Sequence, residues 1–393
     1  MPGSVIVAGA RTPIGKFQGA LASFSAADLG GFAIAAALAR AGITGDMVEH
    51  VIMGQVLLAG AGQLPARQAA VKGGIPLSVP ATVINKVCLS GLNSIIAADQ
   101  MIAMGDAEIV IAGGMESMTN APYVMPDARG GMRLGNKTVI DSLMHDGLTC
   151  GLENVGMGLS TERHARAAGM ARGPQDEYSA QSHERAAAAI KDGRFAAEII
   201  PVAVPQRKGD PLMVETDEGV RPETTVESLG ALKASFEAGG SITAGNASQI
   251  SDGGSAVVVM SAAKAASLGL APLAEIVSYG MVAGPDTSLL HQPSNAIRAA
   301  LAKPKLSVSD LNVIEMNEAF AAVALASMAD LGVSDEIVNV NGGAIALGHP
   351  IGASGNRLAL TLIHELIRRG GGLGAASLCG GGGQGDALVL RVR

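Results

Sequence analysis

The sequence predicts an α/β protein built from two similar halves with an inserted segment between them. Short apolar runs that end in glycine alternate with longer stretches of helical period, which is typical of sheets covered by helices. Of the 393 residues, 48% are hydrophobic and 16% are charged, and this composition excludes a disordered chain. A chain of this length predicts roughly two or three domains, each large enough to bury a core.

The first elements follow one another in a regular order. Val5–Ala8 is a short apolar run and predicts a buried strand. Ala26–Ala41 has a helical period, and Gly42 is typical of a helix end. Val51–Met53 and Ala81–Ile84 predict two further strands, the second of which turns directly into a helix. This alternation predicts a sheet with helices on its faces.

A similar order of elements occurs twice. Helix Ser90–Met104 is followed by a glycine turn and strand Ile109–Ala112, and helix Ser354–Arg369 is followed by a glycine turn and strand Ala375–Leu378. A second matched pair is Asp46–Met53 and Ser309–Met316. One pair alone would be explained by chance, but two pairs in the same order indicate a duplicated α/β unit.

The segment between the copies has a different character. It has stretches rich in Met, Gly and Pro, a polar helix pattern at Pro174–Lys191 and a charged run at Arg207–Glu227. Long ordered insertions of this kind usually form lids or interfaces. We therefore expect residues 1–118 with about 244–270 to form the first half, 119–243 the insertion, and 271–393 the second half.

Charge and composition narrow the classes of partner. The net charge is −7, and no basic run with interleaved aromatic residues is present, so nucleic acid is not a predicted partner. The start of the chain lacks a charged n-region, and no uncharged apolar stretch reaches the length of a membrane span. We therefore expect a cytoplasmic protein without a membrane partner. Local positive charge could still bind a phosphorylated ligand.

The cysteines are few and scattered. Cys88, Cys150 and Cys379 do not form a disulfide framework or a metal-binding pattern. We therefore expect no metal site and no bound cofactor. Cys88 lies between a predicted strand and a helix that begins near Ser90, where helix N–H groups favour a thiolate. From this segment alone, a catalytic cysteine and a buried apolar one are equally good interpretations.

Three segments of the second half could also carry chemistry. His349 lies in a glycine-flanked loop, where it is either structural or a base for a thiol. Cys379 follows a strand and precedes four glycines, which either pack closely or bring the backbone to a ligand. Asn317 and Glu318 follow another strand and could be caps, or could orient a water or a histidine.

These segments resemble the catalytic blocks of the thiolase family in order and spacing, from Arg11–Gly15 to the C-terminus. The blocks that carry the resemblance are Asn85–Gly91, Gly113–Met118, Asn317–Phe320, Gly348–Pro350 and Cys379–Gly385. The resemblance implies a thiolase fold with two five-stranded mixed sheets in an αβαβα arrangement. Helix Ser90–Met104 and helix Ser354–Arg369 would be the equivalent central pair.

The resemblance also implies roles for the site residues. Cys88 would attack the thioester and carry the acetyl group, and His349 would take its proton. Cys379 would remove the α-proton of the second acetyl-CoA. His349 and a water held by Asn317 would stabilise the enolate oxygen, while the backbone N–H groups of Cys88 and Gly381 would stabilise the acyl-enzyme carbonyl.

Coenzyme A contacts follow from the same resemblance. Ser248 matches a residue at the pantetheine, and Arg221 matches one near the adenine and its phosphate. The apolar lining of the tunnel and acyl pocket matches Leu148, Met157, Phe236 and Phe320, although such residues are more often core residues. Gly156 stands where related biosynthetic enzymes carry His, which removes a polar contact. Cys150 has no counterpart and is expected to be inert.

The implied reaction is the reversible condensation of two acetyl-CoA to acetoacetyl-CoA and CoA, in a homotetramer. A thiolase of broader chain length in fatty-acid β-oxidation is the alternative, and Met157 favours short acyl groups over it. A non-catalytic acyl-CoA-binding relative should lack one of Cys88, His349 and Cys379. A decarboxylating condensing enzyme of related fold does not need Cys379. All three residues are present.

Overall fold

The structure, a computed structural model, describes residues 3–393. The chain first forms five strands and three helices. They are β1 (Ser4–Arg11), β2 (Gly15–Lys16), α1 (Ala26–Ala41), β3 (His50–Gly54), α2 (Pro65–Lys72), β4 (Ala81–Ile84), α3 (Ser90–Met104) and β5 (Ile109–Ser117). The predicted helices at Ala26–Ala41 and Ser90–Met104 and the strand at Ala81–Ile84 are confirmed to the residue.

The insertion consists of short strand pairs and helices. They are β6 (Tyr123–Val124), β7 (Ile140–Asp141), β8 (Thr149–Cys150), β9 (Val155–Gly156), α4 (Met157–Ala167), α5 (Arg172–Lys191), β10 (Val202–Val204), β11 (Leu212–Val214) and α6 (Val226–Gly230). Strands β6–β7, β8–β9 and β10–β11 form separate two-stranded sheets. The predicted polar helix is confirmed as α5, which begins two residues earlier than the pattern indicated.

The remaining elements complete both halves. They are β12 (Ser251–Ser261), α7 (Ala262–Ser267), β13 (Ala274–Ala283), α8 (Gln292–Ala302), β14 (Val313–Met316), α9 (Ala321–Leu331), α10 (Ala344–Leu347), α11 (Ser354–Arg368), β15 (Gly372–Gly380) and β16 (Gln384–Val392). Strand β12 returns after the insertion and pairs with both β1 and β5. The first half therefore closes with a strand from beyond the insertion.

The long strands form one mixed sheet in the order β14-β15-β16-β13-β1-β12-β5-β3-β4. The two halves meet at a short antiparallel seam between β1 and β13, where Val5 faces Glu275 and Ile6 faces Ala274. The first half contributes five strands, as predicted. The second half has four strands and a single bridge from Ile314 to Val338 in place of the fifth. A left-handed backbone at the following residue, Asn339, ends the extended run there.

The layers follow from the contacts of the helices. Helices α1 and α2 pack on one face of the first half, and α8 and α9 cover the second half. Helices α3 and α11 pack against each other and against strands of both halves, in one buried cluster that includes Leu92, Ile95, Leu358 and Leu362. The predicted αβαβα layering and its central helix pair are confirmed.

The central helices approach unusually closely at their first turns. A Cβ atom on Gly91 would lie 2.7 Å from the Gly352 carbonyl oxygen, and one on Gly355 would lie 2.3 Å from the Leu92 nitrogen. Only glycine fits at such distances. The first turns of the two matched helices, and the loops that precede them, are therefore held against each other.

Helix α3 lies in an apolar stretch. Residues 87–104 are long and apolar enough to cross a membrane by length and composition, with a mean hydropathy of 1.4. Leu92, Ile95 and Ile96 of this helix are buried between the two halves. Its composition is that of a helix covered by protein on several sides.

Candidate functional site

The loop between β4 and α3 presents the first cysteine. Val87 has a φ of 51°, a left-handed conformation that a β-branched residue rarely adopts. The Ser90 hydroxyl accepts a hydrogen bond from the Lys86 N–H at 2.8 Å and donates one to the Val87 carbonyl at 2.5 Å. These hydrogen bonds stabilise the strained turn at Val87. Cys88 is the next residue, two positions before the start of the helix at Ser90. The predicted strand-to-helix turn is confirmed.

The second cysteine lies on a β-hairpin of the other half. Cys379 pairs with Gly385, and the hairpin turns through Gly381, Gly382 and Gly383 between β15 and β16. Cys379 is 1% exposed and lies inside the strand, one residue before its end, whereas the sequence placed it just after the strand. Pairing with β16 extends the strand because glycines impose no side-chain conflict there.

Both thiols are protonated in the resting protein. Burial raises the pKa of Cys88 to about 11, although the backbone N–H groups of Cys88 and Gly381 hydrogen-bond to the thiol and lower it. Burial also raises the pKa of Cys379, and the nearby Cys88 raises it further. The expectation that the helix N-terminus favours a Cys88 thiolate is wrong for the resting protein, because the loss of solvation outweighs the N–H groups. The thiols therefore require a base.

His349 lies next to Asn317, the residue that was predicted to share its role in binding the enolate oxygen. Its Nε2 is 3.3 Å from the Asn317 side-chain nitrogen, and its Nδ1 is 2.5 Å from the Ser354 hydroxyl. Burial, and then the cation of Arg357, lower the pKa of His349 to about 3. His349 is therefore a neutral imidazole at neutral pH, and can accept a proton.

The hydrogen bonds assign the tautomer of His349. The Ser354 hydroxyl donates its only proton to the Pro350 carbonyl at 3.0 Å, so it accepts a hydrogen bond from Nδ1–H of His349. Nε2 is then unprotonated, and its lone pair accepts a hydrogen bond from the Asn317 amide. The imidazole thus presents an unprotonated nitrogen on the side of Asn317.

Glu318 fixes the loop that leads to His349. Its carboxylate accepts hydrogen bonds from the side chains of Tyr178 at 2.9 Å, Ser182 at 2.7 Å and Asn339 at 2.9 Å, and from the Ile345 N–H at 3.1 Å. These groups come from helix α5 of the insertion, from the loop after α9 and from helix α10. Glu318, which the sequence left open as a cap or an orienting group, is therefore a structural anchor.

Glu116 performs a comparable task on the side of Cys88. It accepts the backbone N–H groups of Val56, Leu57 and Gly352 at 2.9 to 3.1 Å, and Gly352 belongs to the second half. Burial raises its pKa to about 7, and the three N–H groups act in the opposite direction. Glu116 thereby joins the loop after β3 to the loop that follows His349.

A cavity of about 590 Å³ opens onto these groups. Its lining includes His349 and all six residues predicted to contact coenzyme A, namely Leu148, Met157, Arg221, Phe236, Ser248 and Phe320. Cys88 packs against the buried cluster that contains the lining residue Ile351, and Cys379 belongs to the cluster that contains the lining residue Phe320. The structure therefore brings the predicted catalytic and binding residues together.

The cavity wall is apolar with a positive edge. Among the described residues that line it, Lys16 and Arg221 are the cations, and neither Asp nor Glu occurs. The Phe236 and Phe320 rings pack edge to face, with their centroids 6.3 Å apart. Phe236 also lies against the backbone of Gly158, where a Cβ atom would be only 2.2 Å from the ring. Such a wall suits an anionic ligand with a long uncharged arm.

Comparison with known proteins agrees with this geometry. Residues 4–263 match the model for the thiolase N-terminal domain, and residues 270–392 match that for the thiolase C-terminal domain. The chain belongs to the thiolase family. A similar protein from Mycolicibacterium smegmatis is named probable acetyl-CoA acetyltransferase, and it is 57% identical over 98% of this chain and 100% of the relative. Two further relatives, from Pseudomonas aeruginosa and Cupriavidus necator, are named acetyl-CoA acetyltransferase. They are 52% and 51% identical, in each case over 98% of this chain and 98% of the relative.

Several residues of this thiolase site were not predicted. Ser354 was recognised as a helix start, yet its hydroxyl orients His349. Gln249 donates to the carbonyls of Gly219, Ile345 and Ala346, and so joins the cavity wall to helix α10. Lys16 lies just after the Arg11–Gly15 block and lines the cavity. Its position beside a family block was the available signal, whereas Gln249 had none beyond its neighbour Ser248.

The pKa of Cys88 leads to a prediction for the ligand-free thiolase. Because the pKa is about 11, the thiolate fraction and hence the rate of alkylation by iodoacetamide should rise about tenfold per pH unit from about pH 6.5 to about pH 9.5. Peptide-level mass spectrometry would measure this rate separately for Cys88, Cys150 and Cys379. A rate that levels off near neutral pH would contradict the protonated resting state.

Proposed function

We propose that this thiolase is an acetyl-CoA C-acetyltransferase that interconverts two acetyl-CoA with acetoacetyl-CoA and CoA. The observation that carries the proposal is the meeting of Cys88, Cys379 and a neutral His349 beside one cavity with an apolar wall and cationic edge. The names of the similar proteins support the same reaction. No resident cofactor enters this proposal, because CoA is a substrate and product.

In the first step His349 takes the proton of Cys88, and the sulfur attacks the acetyl thioester. Nε2 of His349 is unprotonated, and its lone pair, which accepts from the Asn317 amide in the ligand-free protein, would take this proton. The tetrahedral oxyanion would be stabilised by the N–H groups of Cys88 and Gly381, which already lower the pKa of the thiol in the ligand-free protein. Removing one such donor typically raises the barrier by about 2.7–4 kcal/mol. CoA leaves with the proton returned by His349, and the acetyl group stays on Cys88.

In the second step Cys379 acts as the base for a second acetyl-CoA. Its proton passes to His349, and the resulting thiolate removes a proton from the α-carbon. The protonated His349 donates Nε2–H to the enolate oxygen. Asn317 Oδ1 is buried without a protein partner among residues 3–393, and a water held there would supply a second donor. The enolate attacks the acetyl group, and Cys88 recovers a proton from His349 as it leaves.

The cavity residues divide along the length of CoA in this proposal. Arg221 would bind the nucleotide end through its phosphate, and Ser248 would contact the pantetheine amides. The remaining predicted contacts, Leu148, Met157, Phe236 and Phe320, would pack against the uncharged arm and the acyl group. Lys16 adds a second cation, which the sequence did not predict. Gly156 also lines the cavity, and supplies no polar side chain there.

The proposed substrate range is testable with a series of 3-ketoacyl-CoA esters. Met157 packs in the cluster that contains Cys379 and Phe320, and its side chain limits the space for an acyl chain. We expect CoA-dependent cleavage of acetoacetyl-CoA with a kcat/KM at least tenfold above that for 3-ketohexanoyl-CoA, since each lost or clashing methylene changes such ratios by about 10- to 200-fold. Equal values would favour the broader β-oxidation thiolase. Absence of any turnover would favour a non-catalytic acyl-CoA-binding protein.

The separate roles of the cysteines lead to a second test. Cys88→Ser should form no acetyl-enzyme, because a hydroxyl is a much weaker nucleophile than a thiolate. Cys379→Ser should still gain one acetyl group from acetyl-CoA, because its thiol is needed only in the second step, but should form almost no acetoacetyl-CoA. Mass spectrometry after a short exposure to acetyl-CoA distinguishes the two variants.

Cys150→Ser is the matched control for these variants. Cys150 is buried and lies in neither of the clusters that hold Cys88 and Cys379, so it should be replaceable without effect on either step. Acetylation of Cys88→Ser together with an unlabelled Cys379→Ser would reverse the assigned roles.

We also propose that the protein is a homotetramer assembled partly through the insertion. Exposed apolar side chains are frequent between β6 and β7, where Tyr123 is 68%, Met125 41%, Met132 47% and Val139 48% exposed. Apolar surface of this kind is typical of protein interfaces. Light scattering at micromolar concentration should return a mass of four chains. A variant with Tyr123→Ser and Met132→Ser should return a smaller assembly, and a monomeric parent protein would contradict the proposal.

A further inference from the structure

A partly buried ion pair joins the two loops that carry the cysteines. Lys86 Nζ lies 2.7 and 2.9 Å from the two carboxylate oxygens of Asp386, and the Asn93 amide donates to the same carboxylate at 3.2 Å. The Asp386 side chain is 0% exposed and that of Lys86 is 23% exposed. The resemblance to the thiolase blocks assigns no role to either residue.

The pair connects opposite halves at short range from both thiols. Lys86 precedes Cys88 by two residues in the first half. Asp386 lies on β16 of the second half, directly across from Leu378, and its neighbour Gly385 pairs with Cys379. A displacement of Asp386 relative to Lys86 would therefore move the hairpin turn that contains Gly381 relative to Cys88.

The hydrogen-bond donors at the Cys88 thiol depend on this alignment. One donor is the N–H of Cys88 in the first half, and the other is the N–H of Gly381 in the second half, which lies beside Val87 because a Cβ on Gly381 would be 3.4 Å from that side chain. Because they belong to different halves, no local turn fixes both. The loop also contains the left-handed Val87, a conformation that persists only when surrounding contacts enforce it.

We propose that Lys86 and Asp386 are positioning residues, whose ion pair holds the N–H groups of Cys88 and Gly381 at the spacing that the acyl-enzyme oxyanion requires. This inference rests on the proposed acetyltransferase function. A carboxylate buried at this position loses solvation, and replacing such a pair by apolar groups is often neutral for stability. We therefore expect the Lys86–Asp386 pair to affect the positions of the two oxyanion donors more than the stability of the fold. The Cys88 oxyanion forms in both steps, so both steps should depend on the pair.

The test uses the full-length protein with both charges removed. The double variant Lys86→Met with Asp386→Leu leaves no unpaired buried charge, and should keep the thermal midpoint and the dissociation constant for CoA of the parent. Its rate of acetyl transfer to Cys88 and its kcat for condensation should both fall about 10- to 100-fold, since small misplacements of catalytic groups have effects of that size. Lys86→Arg should retain most of the activity, because a guanidinium can also bind both carboxylate oxygens.

A second ion pair supplies the matched control. Lys264 Nζ lies 3.1 Å from Glu108 Oε2, and both side chains are partly exposed. The double variant Lys264→Met with Glu108→Leu should leave the rates of acetyl transfer and condensation unchanged. An acetyl-transfer rate equal to that of the parent in the Lys86/Asp386 double variant would overturn the inference. A fall in rate that is matched by weaker CoA binding and a lower thermal midpoint would also overturn it, because the pair would then act only on stability. If the parent protein itself acquired no acetyl group, the proposed function would fail instead.

Discussion

The close crossing of α3 and α11 is the constraint on which the site depends. Gly91 and Gly355 allow the first turns of the two helices to touch, backbone to backbone. Cys88 lies in the loop just before the first turn of α3. Ser354 is the first residue of α11, and its hydroxyl is hydrogen-bonded to His349. A side chain at either glycine would separate the nucleophile from its base by pushing the helices apart. The symmetry of the duplicated halves is thus used to bring two different loops to one point.

Burial around the crossing decides which charges the site can carry. It keeps Cys88 and Cys379 as thiols and His349 as a neutral imidazole, even though a helix N-terminus lies beside Cys88. Glu116 and Glu318 are also buried, and each is used to hold backbone or side-chain donors. The site is therefore arranged for proton transfers that begin from neutral groups, with N–H donors available where an oxyanion would form.

Much of the fold was predictable because its signals are local. A short apolar run that turns into a helix gave β4 to the residue, and periodicity with a glycine end gave α1. The catalytic residues could be named because they lie in short blocks of fixed order. Ser354 and Gln249 could not be assigned their roles, because each acts through a contact distant in the chain or through a hydroxyl that also fits a helix start. The protonated state of Cys88 could not be predicted from the sequence either, because the desolvation that raises its pKa depends on the whole surrounding structure.

The position of β12 in the sheet has a consequence for synthesis of the protein. Residues 251–261 pair with β1 on one side and β5 on the other, so the sheet of the first half lacks an inner strand until the ribosome has made about two thirds of the chain. At typical elongation rates of about 5–20 residues per second, β1 waits on the order of 13–50 s for this partner, and β5 waits on the order of 7–29 s. During that interval β1 and β5 expose unpaired, strongly apolar edges. The nascent chain is thus most exposed to aggregation, and most in need of a chaperone, while the insertion is being translated.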